Sequence, residues 1–143
     1  MANICSIIKE KRTAGQTVCH VFHGSKVLAR KLQLKRLGFN DIPDELWIEI
    51  NRLDAKRLLT DCLAHDLAYQ INIMPEQKAQ ELASAFLKCF DKDTAFLTNQ
   101  THNFDNIGKG FLSWEPITNA TFDTGIIAVK EGVVGILWVK DED

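Results

Sequence analysis

The side chains able to do nucleophilic, acid–base or metal chemistry are thinly spread along this sequence: Cys5, Cys19, Cys62 and Cys89, with His20, His23, His65 and His102. Two short runs bring some of them together, Cys19-His20-Val21-Phe22-His23 and Cys62-Leu63-Ala64-His65. Zinc requires about four nitrogen or sulfur ligands converging tetrahedrally, and neither run follows a zinc spacing. Cys62 also falls on an apolar helical stripe, so a buried core thiol is expected, with no metal and no cofactor. A cysteine nucleophile needs a positive or helix-N-terminal setting and a third, orienting group. No cysteine here carries such a local signature.

Two further sets spell fragments of catalytic machinery. His23 and His102, with Lys109 in Ile107-Gly108-Lys109-Gly110, are the types a metal-independent ribonuclease uses. Two imidazoles exchange protons while an ammonium steadies the phosphate. Linear order does not bring the three together, and the glycines lack the spacing of a phosphate-binding loop. A surface loop is the plain alternative. Asp123-Thr124-Gly125 spells the aspartic-protease triplet, but only eighteen residues follow it. That chemistry pairs two carboxylates sharing one proton, so a single triplet would have to dimerise. The plain reading is a tight bend entering a strand at Ile126. With no complete set, a non-enzymatic protein is expected.

Charge and aromatic placement point toward binding. Residues 1–40 hold eight Lys/Arg and one acid, giving +7; residues 41–143 hold nine bases and eighteen acids, giving −9. Such polarity suits either a charged partner or two parts of the chain that attract each other. The basic part interleaves its charges with leucines and carries no nucleic-acid-binding signature, and the net charge of −2 weakens attraction to phosphate. The last third instead gathers Trp114, Glu115, Asp123, Trp138 and the terminal Asp141-Glu142-Asp143. Aromatic anchors ringed by polar groups are typical of protein interfaces, and acids speed capture of a basic partner. The candidate partner-binding residues are therefore Trp114, Glu115, Asp123, Asp141, Glu142 and Asp143, with Trp138 equally suited to the core.

The elements that would position these residues belong to one domain spanning residues 1–143. Its apolar content of 45% and charged content of 25% are ordinary for a globular protein. No apolar run approaches the roughly 18 residues needed to span a bilayer. The N-terminus has no basic region followed by a long apolar one, so a cytoplasmic protein with reduced thiols is expected. Ile4–Ile8 and Thr17–Phe22 read either as paired strands or as a helix broken near Gly15. Lys31–Lys35 alternates with period two and reads as a strand. Asp41-Ile42-Pro43 reads as a helix start leading through Trp47 and Ile50, and Asp54 as the cap of the next helix.

Between Pro75 and Phe90, the residues Ala79, Leu82, Ala83, Phe86, Leu87 and Phe90 form one helical stripe. After Asp91-Lys92-Asp93 the texture changes. Thr94–Thr98 and Phe111–Trp114 read as strands around a polar loop at 99–110. Ile126–Lys130 and Val133–Val139 flank Glu131-Gly132 as a hairpin. That hairpin is apolar on both faces, which requires a central place in a sheet. The fold class is α+β: central amphipathic helices packed on a mainly antiparallel sheet that includes the C-terminal hairpin.

From Trp114-Glu115-Pro116 through Thr121-Phe122-Asp123-Thr124-Gly125 to Gly135-Ile136-Leu137-Trp138 and Asp141-Glu142-Asp143, the chain resembles the strand-rich ends of small bacterial immunity proteins. These accompany polymorphic toxins, including those of contact-dependent inhibition. The resemblance covers residues 114–143. It implies a cytosolic, non-enzymatic antitoxin that covers a cognate toxin, a basic nuclease suiting the acidic part best. Nucleic-acid binding, or ribonuclease action through His23, His102 and Lys109, is the alternative expectation.

Overall fold

The computed structural model describes residues 3–23, 35–39, 47–67, 69, 71–101, 113–114 and 122–141. The expected strand at Lys31–Lys35 and the helix start at Asp41-Ile42-Pro43 lie outside them in whole or in large part. The described elements are α1 (Ile4–Lys11), β1 (Gln16–His23), β2 (Ile48–Ile50), α2 (Arg52–Ala64), α3 (Glu76–Leu87), β3 (Ala95–Thr98), β4 (Gln100–Thr101), β5 (Ser113–Trp114), β6 (Phe122–Lys130) and β7 (Val133–Asp141). Five strands form one antiparallel sheet in the order β1-β7-β6-β3-β2, and β4 pairs with β5 separately. The α+β class and the antiparallel sheet are as the residue patterns require.

The C-terminal hairpin holds the centre of the sheet, and its double-faced apolarity is the reason. Ile126, Ala128, Leu137 and Val139 point to the side covered by the helices, where they pack with Leu58, Cys62, Leu82 and Phe86. Ile127, Val134, Ile136 and Trp138 point to the opposite side, against Leu97 and Phe39. There the Trp138 ring meets Phe39 and Trp47 edge-on, with centroids 6.2 and 6.0 Å away, a favoured aromatic geometry. A nine-residue strand buried on both faces has no solvent side on which to place polar residues, hence the near-continuous apolar run of β7. Gly132, at φ 78°, makes the turn. Gly135 leaves room on the helix side for the Phe90 ring, which a Cβ at that position would strike.

The helix patterns hold where burial is one-sided. Ala79, Leu82, Ala83, Phe86 and Leu87 of α3 are all buried, and Phe90 follows them into the same core. Helix ends are closed by specific groups. The Asn3 and Asn51 side chains accept backbone N–H groups from Cys5 and Asp54, at 2.8 and 2.7 Å. Asn51, rather than Asp54, is thus the cap of α2, and Asp54 sits in its first turn, where a carboxylate favours the dipole. At the other end of α3, Arg52 donates to the Leu87, Phe90 and Asp91 carbonyls while lying 5.1 Å from the Phe96 ring centre.

Three local expectations are corrected. Ile4–Ile8 is a helix and Thr17–Phe22 a strand, so the two runs are neither paired strands nor one broken helix. The stretch from Trp47 to Ile50 is not helical; Ile48–Ile50 forms β2, paired with β3. Three residues are too few for a periodicity, and the open edge of β3 supplies the hydrogen bonds. Asp123-Thr124-Gly125 is not a bend. It lies inside β6, opposite Lys140, Val139 and Trp138, because β7 runs on to Asp141 and offers partners along its whole length. Among the described residues no helix is long and apolar enough to cross a membrane.

Candidate partner-binding site

Asp123 and Asp141, two of the candidate partner-binding acids, are in the interior, at 0% and 2% exposure. Strand alternation places them on opposite faces of the sheet. Asp123 accepts the Trp138 indole N–H on Oδ1 at 3.2 Å, and the Asn99 side-chain amide donates to its Oδ1 and carbonyl oxygen, both at 3.1 Å. Thr124 donates to Asn99 Oδ1 at 2.8 Å. These four residues join β6, β7 and the end of β3 in one buried polar network. Both carboxylates are committed to internal partners and correct the reading of them as contact residues. Trp114 is placed on the backbone of β5. Glu115, Glu142 and Asp143 lie outside the described residues.

Asp141, on the helix side, faces Arg12 at the end of α1. The guanidinium donates from Nη1 and Nη2 to the two carboxylate oxygens, at 2.9 and 2.7 Å. Its remaining N–H groups donate to the carbonyls of Ala14 and, at the C-terminal end of α2, of Cys62 and His65. All five guanidinium N–H groups are thereby used, and the cation sits where the α2 dipole favours it. Gly15, at φ 56°, brings the backbone against this pair; a Cβ there would overlap Asp141 Oδ1 and the Lys140 carbonyl.

This buried pair also anchors a surface loop. Leu67 N–H donates to Asp141 Oδ2 at 2.7 Å, and the Leu67 side chain is in the core. From that anchor the chain turns outward and returns: Asp66 N–H donates to the Ile71 carbonyl, Ile73 N–H to the Ala64 carbonyl, and His65 bridges Asn72. Asp66 Oδ1 accepts the N–H groups of Tyr69 and Ile71, at 3.1 and 2.9 Å. The result is a braced loop whose tip presents Tyr69 and Ile71 at 63% and 61% exposure.

Where the loop returns, His65, Asn72, Ile73, Met74, Pro75 and Glu76 line an open surface cleft. His65 Nδ1 lies 3.2 Å from Asp61 Oδ1, one helical turn earlier. Residues 58–77 contain no Lys or Arg but three acids, Asp61, Asp66 and Glu76. Two exposed apolar side chains beside a cleft, in a stretch that carries acids and no bases, make this the candidate surface for a protein partner. No signal in the loop's linear pattern marks it, since Leu67, Tyr69 and Ile71 alternate like a strand and only the loop's return separates the buried residue from the exposed ones.

Among the sequence-flagged chemical residues, Cys62 is buried in the core, as expected of its stripe. Burial, with Asp61 next, pushes its thiol pKa well above the ordinary value. His23 is exposed at the end of β1; His102 and Lys109 lie outside the described residues. Among the described residues no group of three His, Cys, Asp or Glu side chains is placed to hold a metal ion. No family model, curated protein or solved structure matches this chain.

Proposed function

We propose that this chain is a non-catalytic protein-binding module, an immunity protein that neutralises a cognate toxin domain, a nuclease with a basic surface, by direct contact. The observation that supports binding is the exposure of Tyr69 and Ile71 next to backbone that Asp66 and Leu67 hold. These two apolar side chains cost little entropy to dock, because their backbone is already held by Asp66 and anchored through Leu67. The absence of cationic side chains from residues 58–77 favours a basic partner over an acidic one or a nucleic acid. The toxin as the partner rests on the resemblance of residues 114–143 to immunity proteins.

The test is a search of the neighbouring coding regions for a toxin domain, followed by reconstitution with it; its absence there would count against the reading. A stoichiometric complex should form, and nuclease activity should fall in proportion to the protein added. Replacing Tyr69 and Ile71 together by alanine should weaken the complex by at least about tenfold. Full nuclease activity at saturating protein would refute the immunity reading. An inhibitory complex indifferent to the double substitution would instead move the contact surface elsewhere.

A further inference from the structure

The cleft beside the exposed loop offers a chemistry more specific than its acidity. It is an open space of about 530 Å³ lined by His65, Asn72, Ile73, Met74, Pro75 and Glu76, within the size range of ligand-binding clefts. We infer that this cleft receives an arginine side chain carried on an extended segment of the partner. The inference rests on the proposed reading of residues 65–74 as a contact surface, and it adds the chemical group that surface takes.

His65 supplies one acceptor. Its Nδ1 lies 3.2 Å from Asp61 Oδ1. An ionised carboxylate only accepts, so Nδ1 carries the proton and the neutral ring keeps Nε2 as an acceptor. The Asp61 side chain is 7% exposed and the His65 side chain 29%, so the ring turns Nδ1 inward and its opposite edge toward solvent. Glu76, exposed in the first turn of α3, supplies the second acceptor. Among the described residues no ion pair or hydrogen bond engages its carboxylate. A guanidinium has five N–H donors and no acceptor, in a planar fork that can serve a carboxylate and a ring nitrogen together. Ile73, Met74 and Pro75 give its methylene stem an apolar wall.

Two helix ends meet at the cleft and act with opposite signs. The N-terminus of α3 has no side-chain cap and attracts anions with roughly half a positive charge. The Glu76 carboxylate in that same turn outweighs it. The C-terminal end of α2, where His65 is the cap residue, favours a cation. Arg12 already donates to the Cys62 and His65 carbonyls there, but Asp141 matches its charge. With no Lys or Arg between residues 58 and 77, an anionic ligand would meet Glu76 unopposed, and an apolar one would leave both acceptors unmet. A lysine ammonium has the charge but not the planar fork.

The test uses the full chain, isotope-labelled for NMR and titrated with the peptide acetyl-Gly-Arg-Gly-amide and with its lysine, citrulline and glutamate counterparts. Amide shifts with the arginine peptide should centre on Asn72, Ile73, Met74 and Glu76 and saturate with a Kd of roughly 1 mM. The lysine peptide should bind at least about threefold more weakly, and the citrulline and glutamate peptides should give no saturable shift. Glu76→Gln, an exposed change that leaves the core intact, should weaken the arginine peptide by about threefold. The inference is overturned by shifts that do not saturate or centre elsewhere, by equal binding of any counterpart peptide, or by a Kd that ignores Glu76→Gln. The probe is not the toxin, so the two proposals fail separately. Toxin inhibition without arginine capture removes the cleft inference alone, and arginine capture without toxin inhibition removes the immunity reading alone.

Discussion

The Arg12 guanidinium and the Asp141 carboxylate, 129 residues apart in the chain, meet as a bidentate ion pair that water scarcely reaches. The pair connects the basic first part of the chain to the acidic remainder. It also closes the C-terminal end of α2 and, through Leu67, fixes the root of the exposed loop. One contact thus links the end of β7, two helices and the candidate binding surface.

Removal of either partner should therefore be costly. Arg12→Ala or Asp141→Ala should lower stability by about 3–5 kcal/mol, since each leaves an uncompensated buried charge. Replacing both by apolar residues of similar volume should cost less than the two single losses added together. Urea unfolding of the four chains gives the comparison, and strict additivity would show that the groups do not act as a pair.

Trp138→Phe keeps the aromatic packing on Phe39 and Trp47 but removes the N–H donated to Asp123. A loss of about 1–3 kcal/mol is expected, because the buried carboxylate loses a donor that water does not replace. A change within 0.5 kcal/mol would mean that the indole N–H is dispensable to the network.

Asp66→Ala should separate loop order from global stability. It removes the acceptor of the Tyr69 and Ile71 N–H groups at an exposed site. Amide exchange of those two residues should quicken, with the unfolding midpoint shifted only slightly. Under the proposed function, binding of the partner should weaken, because this segment must then be ordered on docking.

His20, half-buried and stacked on Phe22 with centroids 5.7 Å apart, has its pKa lowered by burial and then by Lys9. The folded chain therefore takes up this proton at lower pH than the unfolded chain, whose histidine titrates near the ordinary 6.5. The stabilising difference is full above 6.5 and is lost as pH falls toward the folded-state value. NMR titration should place the His20 midpoint below 6.5, and His20→Phe should reduce the acid-side loss of stability. A midpoint at 6.5 would remove this contribution, and one above 6.5 would reverse its sign.

Local pattern determined much of this protein by itself. The stripe Ala79–Phe90 needs a helix because only a 3.6-residue period puts those side chains on one face. The double-faced apolar run Val133–Val139 needs a central strand because both sides must leave water. Elements too short for a period escaped that logic: Ile48–Ile50 is a strand because β3 offers it an edge, and Ile4–Ile8 a helix because Asn3 caps it and the sheet buries one side. Tertiary structure alone decided the fate of the acids. Asp123 and Asp141 look like surface charges near an acidic end, yet the extension of β6 and β7 turns one under Trp138 and the other onto Arg12. The same holds for the exposed Tyr69 and Ile71. Each depends on partners distant in the chain, or on how a loop returns to the body, and spacing along the sequence carries no record of either.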